Sequence, residues 1–220
     1  MKKRILLVTL AMSVLFELLA VHARADLTVI GHATYLGGDP NMKTPTGDTP
    51  ATNTTYQIIY EIDPNFGPIA WLDFSNSGSD EATQAQWVAS LNNPAYISYT
   101  LNPGYALAVN GWKLPLTKTA SRLYSTSEMG NLFYHELKNT GFDGGPPTPP
   151  NPSINTAPFK NLLARRYWSA TPGSTQDYYY FFDMADGLQS SVNGSSVTSN
   201  LGLAVCPVVP PAPAHLDLSR

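Results

Sequence analysis

Hydrophobic and polar positions alternate over many short segments of this chain, and this pattern predicts a β-rich domain. Runs of β-branched and aromatic residues, separated by Gly, Pro, Asn and Asp, are typical of short strands joined by turns. The predicted strands are Leu27–Tyr35, Tyr56–Tyr60, Ile69–Phe74, Tyr96–Leu101, Tyr167–Thr171, Tyr178–Met184, Leu188–Val192 and Leu201–Val205. The sequence has no repeat with a period of about 20–50 residues, so a solenoid or a propeller is not expected.

Two segments carry apolar residues at helical spacing. Asp80–Leu91 begins with acidic residues, which suit the positive end of a helix dipole, and continues with an apolar stripe. In the second, Ser125 and Glu128 have the spacing of a capping box before a mostly apolar face. Gly37–Thr55 and Asp143–Asn155 are rich in Gly, Pro and polar residues and predict long surface loops with little that could enter a core. Together these elements predict an α+β fold.

Residues 1–25 have the pattern of a secretory signal peptide. Positive residues at Lys2–Arg4 precede the apolar run Ile5–Ala20, and Ala23 and Ala25 supply the small residues that a signal peptidase accepts. We expect cleavage after Ala25. The alternative is a retained membrane anchor, but the run is short for a membrane span and contains Glu17. Both alternatives place the protein outside the cytoplasm, extracellular or periplasmic.

The remaining chain is predicted to form one domain over residues 26–206, followed by a proline-rich tail at 207–220, disordered or of polyproline type. Cys206 is the only cysteine, so no internal disulfide can form. We expect it to be a small buried side chain near the last strand. A reactive thiol or a bridge between chains is the alternative.

The charge balance argues against polyanionic partners. The chain has 13 basic and 16 acidic residues; loss of residues 1–25 removes four basic and one acidic, leaving a net charge of −6. Arg165-Arg166 is the only basic pair, read as two solvated charges at a strand entrance. Nucleic acid and anionic membrane surfaces are therefore not expected partners, and the mature chain has no predicted membrane span.

Residues with catalytic or metal-binding chemistry are sparse. His32, His135 and His215 lie far apart in sequence, without the spacing of metal ligands. Asp183 and Asp186 could begin a calcium site, but two carboxylates are too few, and Asp186-Gly187 favours a hairpin turn. We therefore expect no catalytic residues, no metal and no cofactor.

The aromatic strand Tyr178–Phe182 supplies the candidate ligand contacts. Alternation places Tyr178, Tyr180 and Phe182 on one face of the strand, with Tyr179 and Phe181 on the other. One face must enter the core. The other is either a platform on which sugar rings stack or a second packed layer, and the four tryptophans, Trp71, Trp87, Trp112 and Trp168, favour the packed layer because aromatic side chains contribute so much burial.

Four motifs occur in an order that resembles a known family. They are Trp112-Lys113-Leu114-Pro115, Ser127–Phe133, Tyr167–Thr171 and Leu203-Ala204-Val205. In sequence they resemble the family named after the C-terminal domain of the collagen-like bacterial adhesin Lcl, in which GWRLP, a helix, YWSST and a final ALAVR recur. Asp26–Tyr35 and Phe66–Asp73 resemble the subgroup found in bacterial proteins with a C-terminal exosortase (PEP-CTERM) sorting signal.

The resemblance implies a domain like that of C-type lectins or sulfatase-modifying factors, whose N- and C-terminal strands pair beside two helices. The sulfatase-modifying chemistry is excluded, because it needs a pair of redox-active cysteines. Two positions depart from the family. Cys206 stands where arginine is usual, and no hydrophobic helix or basic cluster follows the proline-rich segment, so we expect no sorting signal. Either the protein is released rather than anchored, or its reading frame has diverged at the end.

The predicted function is that of a secreted, non-enzymatic binding or matrix-associated domain of a bacterial cell envelope, with carbohydrate as a candidate ligand. The polyanionic glycans implied by the adhesin resemblance fit poorly, because a chain of net charge −6 repels sulfated polymers. Two alternatives remain open. One is an enzyme of unfamiliar type acting on envelope polymers, and the other is a structural surface protein that has lost its anchor.

Overall fold

A computed structural model describes residues 27–117, 127–141 and 154–209. Within these ranges the chain is mostly β-sheet with two short helices, which confirms the α+β prediction. The strands are β1 (Thr28–Tyr35), β2 (Thr55–Asp63), β3 (Gly67–Leu72), β4 (Ile97–Leu101), β5 (Ala106–Leu107), β6 (Arg166–Pro172), β7 (Tyr178–Asp183), β8 (Gln189–Asn193) and β9 (Val205–Val209). The helices are α1 (Glu81–Ser90) and α2 (Glu128–Asn131), and α2 continues into a π-helical turn at Leu132–Glu136.

The strands form two antiparallel sheets. The larger has the order β4-β1-β2-β3-β9-β5 and the smaller β6-β7-β8. The expectation that the first and last strands pair is wrong, because the β2–β3 hairpin lies between β1 and β9. Asp63 stabilises the turn of that hairpin, since its Oδ1 accepts hydrogen bonds from the backbone N–H groups of Asn65 and Phe66.

The central strands of the larger sheet are buried on both faces. In β2, Ile58 and Tyr60 belong to a first core cluster, whereas Ile59 belongs to a second. The same alternation continues in β3 and β9. Helix α1 packs into the first cluster through Trp87, and α2 with its π-helical turn packs into the second. All four tryptophans are at most 5% exposed, as predicted.

The smaller sheet contributes to both clusters. Trp168 and Phe181 belong to the first cluster, and Tyr167 and Phe182 to the second. The N–H of Trp168 donates to the carbonyl of Leu201 at 3.0 Å, which connects β6 to the segment leading into β9. Neither face of β6 or β7 is therefore free of the core.

The helix starts agree with the sequence in one case and differ in the other. Asp80 caps α1, and its Oδ1 accepts from the Thr83 N–H at 2.8 Å, as an acidic start predicts. Helix α2 is capped by Ser127, whose Oγ accepts from the Gly130 N–H at 3.0 Å. The predicted cap, Ser125, lies outside the described residues.

Two predicted boundaries need correction. Gly37–Thr55 is an irregular segment up to Thr55, as expected, but Met42 is fully buried in the first cluster, so the segment does enter the core. The last strand runs to Val209, three residues beyond the domain boundary placed after Cys206, because β9 pairs with both β3 and β5. The predicted signal peptide and the remainder of the tail lie outside the described residues. Within them, no helix has the length and apolar character needed to cross a membrane.

Candidate functional site

The three aromatic residues proposed as ligand contacts do not form an exposed platform. Phe182 is fully buried and lies 5.6 Å from the ring of Phe133; Tyr180 is 9% exposed, and Tyr178 is half-buried. On the opposite face Phe181 belongs to the first cluster, whereas Tyr179 is half-buried. Solvent does not reach the ring of Phe182, so this residue cannot contact a ligand, and the second half of β7 serves as packing.

The predicted Asp-Gly hairpin is confirmed between β7 and β8. The N–H of Gly187 donates to the Asp183 carbonyl at 2.8 Å, and Asp186 Oδ1 accepts from the Leu188 N–H at 2.9 Å. Asp183 also accepts from Arg166 Nε at 3.0 Å, so its carboxylate is already neutralised. Among the described residues no group of three or more His, Cys, Asp or Glu side chains is placed to hold a metal ion.

A groove of about 480 Å³ lies at the junction of β4, β5 and the end of α1, and we call it the apolar groove. Its walls are mostly apolar, with a few amide and hydroxyl groups. The lining residues are Leu91, Asn92, Pro94, Ile97, Ser98, Tyr99, Leu107, Ala108, Val109, Asn110 and Trp112. Val109 is 91% exposed at the rim, which is unusual for an aliphatic side chain.

Two aromatic rings form the floor of the apolar groove. Tyr99 and Trp112 stack with their centroids 5.7 Å apart and an interplanar angle of 27°. The Tyr99 hydroxyl donates to the Leu91 carbonyl at 2.6 Å, and burial raises the pKa of this phenol, so it stays neutral. The stacked pair is therefore fixed in orientation before any ligand arrives.

Asn92 connects the end of α1 to the segment that carries Trp112. Its Oδ1 accepts from the Trp112 N–H at 3.2 Å, and its Nδ2 donates to the Trp112 carbonyl at 3.4 Å. Gly111 allows this segment to pack closely, since a Cβ there would lie 2.7 Å from the Sγ of Cys206. The segment that carries Trp112 is thus held by the hydrogen bonds of Asn92 and by close packing at Gly111.

Cys206 is fully buried beneath the groove, as predicted for a structural thiol. Burial raises its pKa to about 11, so the thiol is protonated near neutral pH. A buried neutral thiol is a poor nucleophile and cannot reach a second chain without local opening of the fold.

Sequence reasoning missed this groove for an identifiable reason. Trp112 was assigned to the core and Tyr99 to a strand, and neither residue alone signals a surface. The groove exists because β5 pairs with the end of β9, with Leu107 opposite Val208, and turns back at Asn110 with a positive φ of 52°. Its one local signal is the Asn110-Gly111 pair, which marks a turn before the tryptophan.

A buried carboxyl group, Glu61, is the closest the described residues come to catalytic chemistry. Glu61 is fully buried on β2; its Oε2 accepts from Trp71 Nε1 at 2.7 Å, and its Oε1 accepts from Asn131 Nδ2 at 2.9 Å. Burial raises its pKa to about 8, and the negative charges of Asp63 and Glu136 add to the effect. Glu61 does not line the apolar groove, and its carboxyl group is enclosed by side chains of the core.

A second buried carboxylate, Glu128, has a cationic partner. Lys113 Nζ lies 3.0 Å from its Oε1, and the Leu116 N–H donates to its Oε2. This ion pair joins the start of α2 to the segment that carries Trp112, which is a structural role.

Mostly antiparallel sheet, two short helices and an aromatic-floored groove define the class of this protein: an α+β domain with a preformed surface cavity. No protein-family model matches the chain, and no curated protein or solved structure matches it either.

Proposed function

We propose that this chain is a secreted, non-enzymatic binding domain of a bacterial cell envelope that holds an uncharged glycan in the apolar groove. The observation that carries the proposal is the stacked Tyr99–Trp112 floor with the Asn92, Ser98 and Asn110 side chains around it. Sugar rings present apolar C–H faces and a periphery of hydroxyl groups, and sites for such ligands combine apolar walls with a few fixed polar groups.

The size and the charge of the groove both support this ligand class. A volume of about 480 Å³ is in the range of small-molecule sites. None of the lining residues is charged, so a neutral ligand loses no ion hydration on entry. Sulfated or uronic polymers are disfavoured by the net charge of −6 expected after processing.

Membership of the Lcl C-terminal domain family is part of the proposal. The four sequence motifs support it, and all four lie in segments that build the core or the groove: Trp112, the start of α2, β6, and Leu203-Ala204-Val205. A C-type-lectin-like arrangement is the finer form of the same proposal. The separation of β1 from β9 counts against that arrangement, whereas the short strands and two helices agree with it.

Export through the signal peptide at residues 1–25 is likewise proposed, on its positive, apolar and small-residue pattern. The placement of Glu61 argues against an enzyme. Its raised pKa suits a catalytic acid, but its carboxyl group is fully buried and accepts hydrogen bonds from Trp71 and Asn131.

A glycan array with the purified protein, followed by pull-down of cell-envelope fractions, tests the binding role. We expect retention of neutral glycans and a loss of about tenfold in affinity for Tyr99→Leu, which removes the half-buried ring of the floor but keeps an apolar side chain. Tyr99→Phe keeps the ring and is expected to bind like the original protein.

Tyr178→Leu is the matched control, because it makes the same substitution on the aromatic strand first considered as the site. Equal losses for Tyr99→Leu and Tyr178→Leu, or no retention on either array or envelope fractions, would refute the proposal. Near-ultraviolet circular dichroism of each variant separates loss of the groove from loss of the fold.

A further inference from the structure

A second cavity, of about 210 Å³, lies at the opposite end of α1 from the apolar groove, and we call it the acidic cavity. Its lining residues include the acidic Asp80, Glu81 and Asp177, together with Ser195. Ala82, Tyr179 and Gly194 complete the lining. Its lining residues include no Lys, Arg or His, so the cavity carries an uncompensated negative charge.

Three segments form this cavity, and backbone hydrogen bonds hold them together. The N–H of Gly194 donates to the Asp177 carbonyl at 2.8 Å, and the N–H of Glu81 donates to the Gly194 carbonyl at 3.2 Å. Gly194 is needed for this close approach, because a Cβ there would lie 2.7 Å from Cδ2 of Tyr179. The cavity is therefore built by the fold rather than by surface side chains that happen to meet.

Glu81 is the observation that points to a ligand. The residue is only 9% exposed, yet no described residue donates a hydrogen bond to its carboxylate or forms an ion pair with it. Burial and the neighbouring charge of Asp80 raise its pKa. A largely buried carboxylate with no partner inside the protein can take one from a ligand, and a cation in the cavity would supply it.

Asp80 differs from Glu81 in that it is already used by the helix. Its Oδ1 accepts from the Thr83 N–H, and the hydrogen bonds from Thr83 lower its pKa, which keeps it ionised near neutral pH. The negative charge beside Glu81 is thus permanent under physiological conditions. The same charge excludes the anions that a helix N-terminus would otherwise attract.

The lining indicates which kind of cation fits. The carboxylates are not placed as a metal-binding group, and the volume far exceeds the need of a bare ion. An aromatic ring beside carboxylates is the arrangement that binds organic ammonium ions, through cation–π attraction and charge together. We propose that the acidic cavity binds a small organic ammonium group, such as the head of choline or the amino group of an amino sugar.

Isothermal titration calorimetry of the purified protein with two pairs of probes tests the proposal. Choline is compared with its neutral carbon analogue 3,3-dimethylbutan-1-ol, and glucosamine with N-acetylglucosamine. We expect binding of at least one ammonium probe and none of its neutral counterpart. Binding of choline indicates a choline head as the source of the ammonium group. Binding of glucosamine indicates an amino sugar.

Two substitutions assign the binding to this cavity. Glu81→Gln is isosteric and is expected to weaken binding of the ammonium probe by about tenfold or more, since it removes the buried charge. Tyr179→Leu keeps an apolar wall and is expected to weaken binding about fivefold through loss of the ring. Asp48→Asn removes an equal charge from an exposed loop and should leave binding unchanged.

Three results would overturn the proposal: no binding of either ammonium probe up to tens of millimolar, equal binding of the neutral analogues, or equal affinity for Glu81→Gln and the original protein. Competition by calcium that Glu81→Gln abolishes, without any ammonium binding, would assign the cavity to a metal instead. The comparison of charged and neutral probes needs no variant, so it stands even if a substitution impairs folding. The outcome is independent of the apolar groove, whose test uses Tyr99.

Discussion

The carboxyl group of Glu61 is held inside the protein by hydrogen bonds from Trp71 and Asn131, and this has a consequence for stability. Burial raises its pKa from 4.5 to about 8 in the folded state. Between these values the folded protein binds a proton that the unfolded chain releases. The contribution of Glu61 to stability is therefore complete below about pH 4.5 and declines as the pH rises through 8.

Glu61→Gln tests this residue directly. The amide mimics the protonated carboxyl group, and Asn131 can rotate its own amide to accept from it. We expect the free energy of unfolding of the variant to rise relative to the original protein by at most about 1.4 kcal/mol per pH unit over that window. Urea denaturation at about pH 5, 7 and 9 measures the difference.

Asp48→Asn, at an exposed position, provides the control and should show no comparable trend. A difference between Glu61→Gln and the original protein that stays constant with pH would show that Glu61 is ionised in the folded state. The local sequence could not reveal this group. Its burial depends on Trp71 in the neighbouring strand and on Asn131 in a distant helix.

Helix α2 is capped by Ser127, whereas the sequence predicted Ser125 as the cap. Ser127 is fully buried and its hydroxyl accepts the N–H of Gly130. We expect Ser127→Ala to lower the free energy of unfolding by about 1–2 kcal/mol, the usual cost of losing a cap. Thermal or urea denaturation measures the loss, with Ser199→Ala as an exposed serine control. A loss no greater than that of the control would mean that the cap contributes nothing.

The pattern of apolar positions located most elements correctly, but it could not define where they end. Glu128 was predicted to reach back to its own helix cap, whereas it accepts hydrogen bonds from Lys113 and Leu116, far from it in sequence. The last strand was predicted to end at Val205, and Pro207 was assigned to the tail. The carbonyl of Pro207 instead accepts from the Ala108 N–H at 2.9 Å, which continues the pairing with β5. The apolar groove depends on that pairing. Since the sequence did not predict the pairing, it could not predict the groove.

At the scale of the whole molecule, the alternation of apolar and polar positions shows which side chains share a face of a strand, but it does not show which strands are neighbours in the sheet. The four tryptophans were correctly assigned to the core, because large apolar side chains gain most from burial. The prediction that β1 pairs with β9 was wrong, because the sequence of neither strand indicates that the β2–β3 hairpin lies between them in the sheet. Alternation likewise left open whether one face of β7 was free, and both faces are packed.

Phe181 and Phe182 are adjacent in sequence but belong to different core clusters, so they report whether the domain unfolds as one unit. Because β6 and β7 supply side chains to both clusters, neither cluster can lose its packing without disturbing the other. We expect Phe181→Leu and Phe182→Leu each to destabilise the protein by about 1–2 kcal/mol and to shift the same single transition. Tryptophan fluorescence and far-ultraviolet circular dichroism should give coincident denaturation curves for both variants, with or without a reducing agent, because one cysteine forms no internal bridge. Separate transitions, or a Phe182→Leu change seen by only one probe, would show that the clusters are independent and that the smaller sheet does not couple them.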